Sequence, residues 1–137
     1  MPLAYVRLGD AFYNYGTQEG IDRGVDEWVK AYNIPGDPRK AASERLSKHY
    51  LEKGEALFDR AHGPLAQDRD LDDALTAFNE ALRYDRSSDV AASRIQETTV
   101  AKSRRREQYE TQETFINNAL TAMQQRERDS LEGGFDG

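Results

Sequence analysis

Apolar residues along this chain recur at three- and four-residue spacing, and nowhere do β-branched and aromatic residues alternate with polar ones as they would in a half-buried strand. The pattern predicts helix throughout, in five segments. The first runs from Leu3 to Tyr15 and is ended by Gly16; the second runs from about Gly20 to Asn33 and is closed by Pro35-Gly36. Asp37 is placed to cap a third helix, with Pro38 in its first turn, that continues to about Ala61 and stops at Gly63-Pro64. Asp68 to Asp73 make an acidic start to a fourth helix, through Tyr84. Ser87, Ser88 and Asp89 offer the next cap, and from Val90 to about Leu131 there is neither glycine nor proline to interrupt a fifth. The tail after it, residues 132–137, is glycine-rich and expected to be disordered.

The two halves of the first 89 residues carry the same ordered set of residue types. Tyr5, Gly9 and Ala11 match Tyr50, Gly54 and Ala56 at a shift of 45 positions. Ile21, Gly24, Trp28 and Ala31 match Leu71, Ala74, Phe78 and Ala81 at a shift of 50, the difference being a longer loop in the second copy, Ala61 to Arg69. Such loop insertions cost little closure entropy. A glycine inside a helix costs roughly 1 kcal/mol relative to alanine, so Gly9 and Gly54 imply close approach by a partner helix. Trp28 and Phe78 follow the small residue of their helix by one turn and share its face, which predicts a large plug beside each small notch.

Tyr5-Leu8-Gly9-Phe12 followed by Gly24-Trp28-Ala31, with Pro38 soon after, resembles the tetratricopeptide repeat. The second copy, Tyr50-Gly54-Leu57 followed by Ala74-Phe78-Ala81, departs further: Lys53 stands where leucine is usual and Arg86 where proline is usual. The copies are also further apart than the family's roughly 34 residues. The resemblance implies an all-α fold, a right-handed stack of antiparallel helical hairpins over residues 1–89, with residues 90–131 as a capping and extension helix. It also implies a non-catalytic adaptor or scaffold whose groove receives a peptide or partner helix. By matched position the groove residues are Val6, Asp10, Tyr13 and Asn14 from the first hairpin and Leu51, Glu55, Phe58 and Asp59 from the second. Their mixture of apolar, acidic and amide groups suits a partner with basic and apolar residues.

Composition narrows the alternatives. The chain has no cysteine, which removes thiolate catalysis, thiolate metal sites and disulfides. A net charge of −6 opposes the broad basic surface that non-specific nucleic-acid binding needs, so nucleic acid is an unlikely partner. No stretch approaches the eighteen or so apolar residues of a membrane span. Met1-Pro2-Leu3-Ala4-Tyr5 lacks the basic start and apolar core of a secretory signal, which favours a cytoplasmic location. Asp68-x-Asp70-x-Asp72 begins like a calcium loop, but Asp73 replaces the turn glycine and Asn79 the closing glutamate. His49 and His62 lack metal-pair spacing, and no phosphate loop or nucleophile elbow is present, so no catalytic, cofactor or metal residue is expected.

Two features remain in the fifth segment. Lys102 to Arg106 is the one basic run; it supports the rival reading of a nucleic-acid-associated helical protein, with a structural subunit of an enzyme complex as a third. Beyond it Phe115, Ile116, Leu120 and Met123 form an apolar stripe at helical spacing, an expected interaction face. Either the chain turns within Arg106 to Thr114 and folds the stripe back, or one straight helix offers it to another chain, self-association included. Lacking glycine, proline or asparagine there, the sequence favours the straight helix.

Overall fold

The computed structural model describes residues 3–135, and among these it is all-helical: α1 (Ala4–Tyr13), α2 (Gln18–Tyr32), α3 (Asp37–Ala61), α4 (Asp70–Tyr84) and α5 (Asp89–Phe135). The helix boundaries follow local chemistry. After α1 the backbone enters the left-handed region at Gly16 (φ 72°), and Thr17 then caps α2 by accepting a hydrogen bond from the Gly20 amide at 3.1 Å. Gly36 (φ 97°) makes the second sharp turn. The cap of α3 is Gly36, with no side-chain hydrogen bond; Asp37, expected as the cap, is instead the first helical residue, where its charge still faces the positive end of the helix dipole. Ser88 caps α5 as expected, its Oγ accepting from the Ala91 amide at 3.2 Å.

The structure divides into two compact units, the first ending at Thr99 and the second beginning at Val100. In the first, α1 packs on α2, α2 on α3 and α3 on α4. Val6, Trp28, Ala31, Ala42 and Leu46 form a buried cluster with Tyr13, Val25, Val29, Tyr50 and Tyr84 packed against it. The plugs lie where the repeated pattern puts them: Trp28 is 4% exposed and Phe78 fully buried. Each meets its glycine. A Cβ on Gly9 would stand 2.5 Å from Trp28 Cδ1 and 2.9 Å from the Gly24 carbonyl oxygen. One on Gly54 would stand 2.6 Å from two carbons of the Phe78 ring. The notches therefore differ. In the first hairpin two backbones touch as well as the plug, whereas in the second the aromatic ring alone occupies the space.

Aromatic rings follow one another from helix to helix. Trp28 and Tyr13 lie 4.7 Å apart, Tyr13 and His49 5.5 Å, His49 and Tyr50 4.9 Å, Tyr50 and Tyr84 5.9 Å, and Tyr84 and Tyr32 5.0 Å. Mostly tilted or edge-on, they tie all four short helices together. Ser47 adds a buried hydrogen bond from its Oγ to the Ala81 carbonyl, 3.0 Å, between α3 and α4.

The start of α5 packs within the first unit: Ala91 and Thr98 are fully buried and Arg94 reaches Glu55 of α3 at 3.5 Å. Ala91 of α5 shares full burial with Ala42 of α3, 49 positions earlier. In the second unit the helix continues unbroken across Arg106 to Thr114. It also runs through Gly133 and Gly134 to Phe135, beyond the expected end near Leu131. Glycine weakens a helix by about 1 kcal/mol without barring its backbone angles. The rest of the expected tail, Asp136 and Gly137, lies outside the described residues.

Candidate functional site

A charged network spans the first three helices. Asp10 on α1 accepts from Arg45 on α3 through both oxygens, from Nε at 2.7 Å and from Nη2 at 3.0 Å. The same carboxylate accepts from Trp28 Nε1 on α2 at 3.0 Å. The indole N–H of the plug, which would be costly to leave unpaired, thus finds its partner on the facing helix. Beside it Tyr13 Oη and His49 Nδ1 lie 3.0 Å apart. Burial lowers the His49 pKa, with nearby Lys53 adding to the effect, and burial raises that of Tyr13, so both rings are held neutral.

These residues surround an open depression of about 340 Å³ on α1, α2 and α3, with Asn14, Lys48 and Glu52 at its rim. Its floor is aromatic, from Tyr13 and Trp28, and its rim carries both signs of charge. Asp10, Tyr13 and Asn14, three of the four groove residues assigned to the first hairpin, line it. The fourth, Val6, is a core residue, 3% exposed and packed with Trp28 and Leu46, because its position on α1 faces the partner helices.

The second-hairpin candidates are not among the lining residues. Glu55 is engaged by Arg94 and Phe58 stacks with the His62 ring at 4.5 Å. Leu51 is half-buried and Asp59 exposed. The pairing of Glu55 with Arg94 repeats that of Asp10 with Arg45, at shifts of 45 and 49 positions. Matched position makes Asp10 and Glu55 groove candidates. Each is paired with an arginine of a following helix, a relation visible in the sequence only when both shifts are applied together.

Asp70, one of the three acids in the calcium-like run, is fully buried at the start of α4. Its Oδ1 accepts from Arg60 Nη2 at 2.6 Å and its Oδ2 from the Gln67 amide at 2.8 Å, which ties the long α3–α4 loop to both helices. Hydrogen bonding and attraction to Asp70 raise the Arg60 pKa. Among the described residues no three His, Asp or Glu side chains are grouped to hold a metal ion, and no helix is long and apolar enough to cross a membrane.

In the second unit every residue of the apolar stripe is exposed: Phe115 73%, Ile116 54%, Leu120 50% and Met123 61%. Arg106 of the basic run pairs with Glu110 at 3.2 Å, and Glu107 and Glu113 follow closely, so the run sits in a mixed field and not on a uniformly positive face. No family model matches this chain, and no curated protein and no solved structure matches it either.

Proposed function

We propose that the chain is a non-catalytic protein-binding adaptor. Its first unit is a short stack of antiparallel, tetratricopeptide-like hairpins, and its second unit is a contact helix. The stack reading is supported by the repeated notch and plug, Gly9 with Trp28 and Gly54 with Phe78. The recurrent carboxylate–arginine pairs, Asp10 with Arg45 and Glu55 with Arg94, point the same way.

The observation that carries the binding reading is the depression between α1, α2 and α3. It is wide enough for one or two side chains, apolar at its base and charged at its rim. A peptide segment placing an aromatic or long aliphatic side chain against Tyr13 and Trp28, with polar neighbours for Asn14, Lys48 and Glu52, fits that chemistry. Asp10 is a poor residue on which to test this, because it holds Trp28 and Arg45 in place. Asn14 and Lys48 are exposed. The double change Asn14→Arg and Lys48→Glu is expected to keep the melting temperature within a few degrees while removing the protein recovered on the tagged chain from lysate of its host. Recovery of the same protein by the double variant would move the site elsewhere.

A further inference from the structure

Along the second unit, α5 carries a seven-residue period: Lys102, Tyr109, Ile116 and Met123 lie seven apart, and Arg105, Gln112, Ala119 and Arg126 form a second series offset by alternating three and four residues. They are spaced as the two core positions of a heptad repeat, filled by Tyr109, Ile116, Ala119 and Met123 at its centre and by Lys102, Arg105, Gln112 and Arg126 elsewhere. In the second unit they place Tyr109, Gln112, Ile116, Ala119, Met123 and Arg126 on one seam, flanked by Phe115 and Leu120. All of these are exposed.

Charge decides what can cover the seam. In a parallel pair each layer meets itself, so Lys102, Arg105 and Arg126 would each oppose the same residue of the second copy, three like-charge layers inside one short interface. An antiparallel pair centred between Ile116 and Ala119 removes all three conflicts. Ile116 then faces Ala119 of the second copy, Met123 faces Gln112, and Tyr109 faces Arg126, a cation over an aromatic ring. Arg105 falls opposite Ser130. On the flanks Phe115 falls beside Ala122, and Arg106 beside Glu127, each occurring twice by symmetry. Sliding the pair one heptad toward the C-terminus would bring Glu113 against Glu127 and Ile116 against Arg126, so the sequence discriminates between registers. We infer that α5 pairs antiparallel with α5 of a second copy of this chain, centred on Ile116 and Ala119. The inference rests on reading α5 as a contact helix and is independent of the depression in the first unit.

The test uses the full chain. Light scattering across the micromolar range should show a species of twice the 15.6 kDa chain mass, and Ile116→Asp should return it to the monomer. Arg106→Glu should weaken dimerisation at least several-fold, and Arg106→Glu combined with Glu127→Arg should restore it. Orientation follows from a spin label, which the absence of native cysteine makes site-specific. In this register Arg104 lies opposite Leu131 of the second copy, so labels on Arg104→Cys would stand about 40 Å apart at ~1.5 Å per residue. A parallel pair would hold the two backbones roughly 10 Å apart at that point. A monomer throughout the range, a short label distance, or no rescue by the charge exchange would each overturn the inference. Loss of lysate binding in the Asn14 and Lys48 double variant with dimerisation unchanged bears on the depression alone.

Discussion

A glycine inside a helix matters only through what occupies the space of its missing side chain. At Gly54 that space holds the Phe78 ring, which is fully buried and has nowhere to retreat. Gly54→Ala gains about 1 kcal/mol of helix propensity. Forcing a methyl group into a packed core costs typically 1–3 kcal/mol. The expected net result is a less stable protein, by up to about 2 kcal/mol in urea unfolding; a raised melting temperature would show that the ring can move aside. His49 gives a pH dependence with a definite sign. Its folded-state pKa lies below the ordinary value of about 6.5, so the unfolded chain binds the proton more readily. Its contribution to stability is complete above the unfolded pKa and is lost as pH falls toward the folded one. The melting temperature should therefore drop between about pH 7 and pH 5 more steeply in the native chain than in His49→Gln. Equal slopes would remove His49 as the cause.

Individual helices were legible where local chemistry alone sets them. Gly16, Pro35-Gly36 and Gly63-Pro64 end helices for reasons of backbone geometry, and the notch-and-plug spacing on α1 to α4 follows from helical periodicity. What could not be read residue by residue were the ties between elements. Matched position marks Asp10 as a groove residue but gives no sign of its partners, Trp28 and Arg45, which lie 18 and 35 residues away. Asp70 looked like one of several dipole-favouring acids, although it alone is buried and bound to Arg60 and the Gln67 amide. Removing it separates the two roles. Asp70→Ala leaves the Gln67 N–H without its acceptor and is expected to cost about 1–3 kcal/mol. Asp72→Ala, an exposed first-turn change, should stay within about 1 kcal/mol. Parallel urea titrations of the two variants check the difference, and equal losses would reduce Asp70 to another dipole acid.

At the scale of the whole molecule the helices of the first unit pack in chain order, α1 on α2, α2 on α3 and α3 on α4, and the start of α5 adds buried residues beyond the last of the repeated ones. The repeat's small residues stop at Ala81, while burial continues through Ala91 and Thr98 by contacts that carry no glycine or aromatic signature. Beyond that point the sequence offers a helix whose exposed apolar residues have no counterpart in the repeat, which is why their heptad period is separable from the hairpin pattern. This division makes a stability prediction. Among the described residues the buried ones all lie at or before Thr98. A chain ending after Arg106 therefore keeps every buried side chain and the Arg94–Glu55 pair. It should unfold cooperatively within a few degrees of the full chain when both are measured at concentrations low enough to suppress self-association, since dimerisation itself raises apparent stability by mass action. A chain ending after Asp89 discards Ala91, Arg94 and Thr98 and uncovers the surfaces they pack on. It should lose roughly 2 kcal/mol or more, in the range of large-to-small core changes. If instead the longer truncation product melts far below the full chain at every concentration, residues 107–135 stabilise the hairpins directly and the boundary at Thr99 is not a boundary in stability.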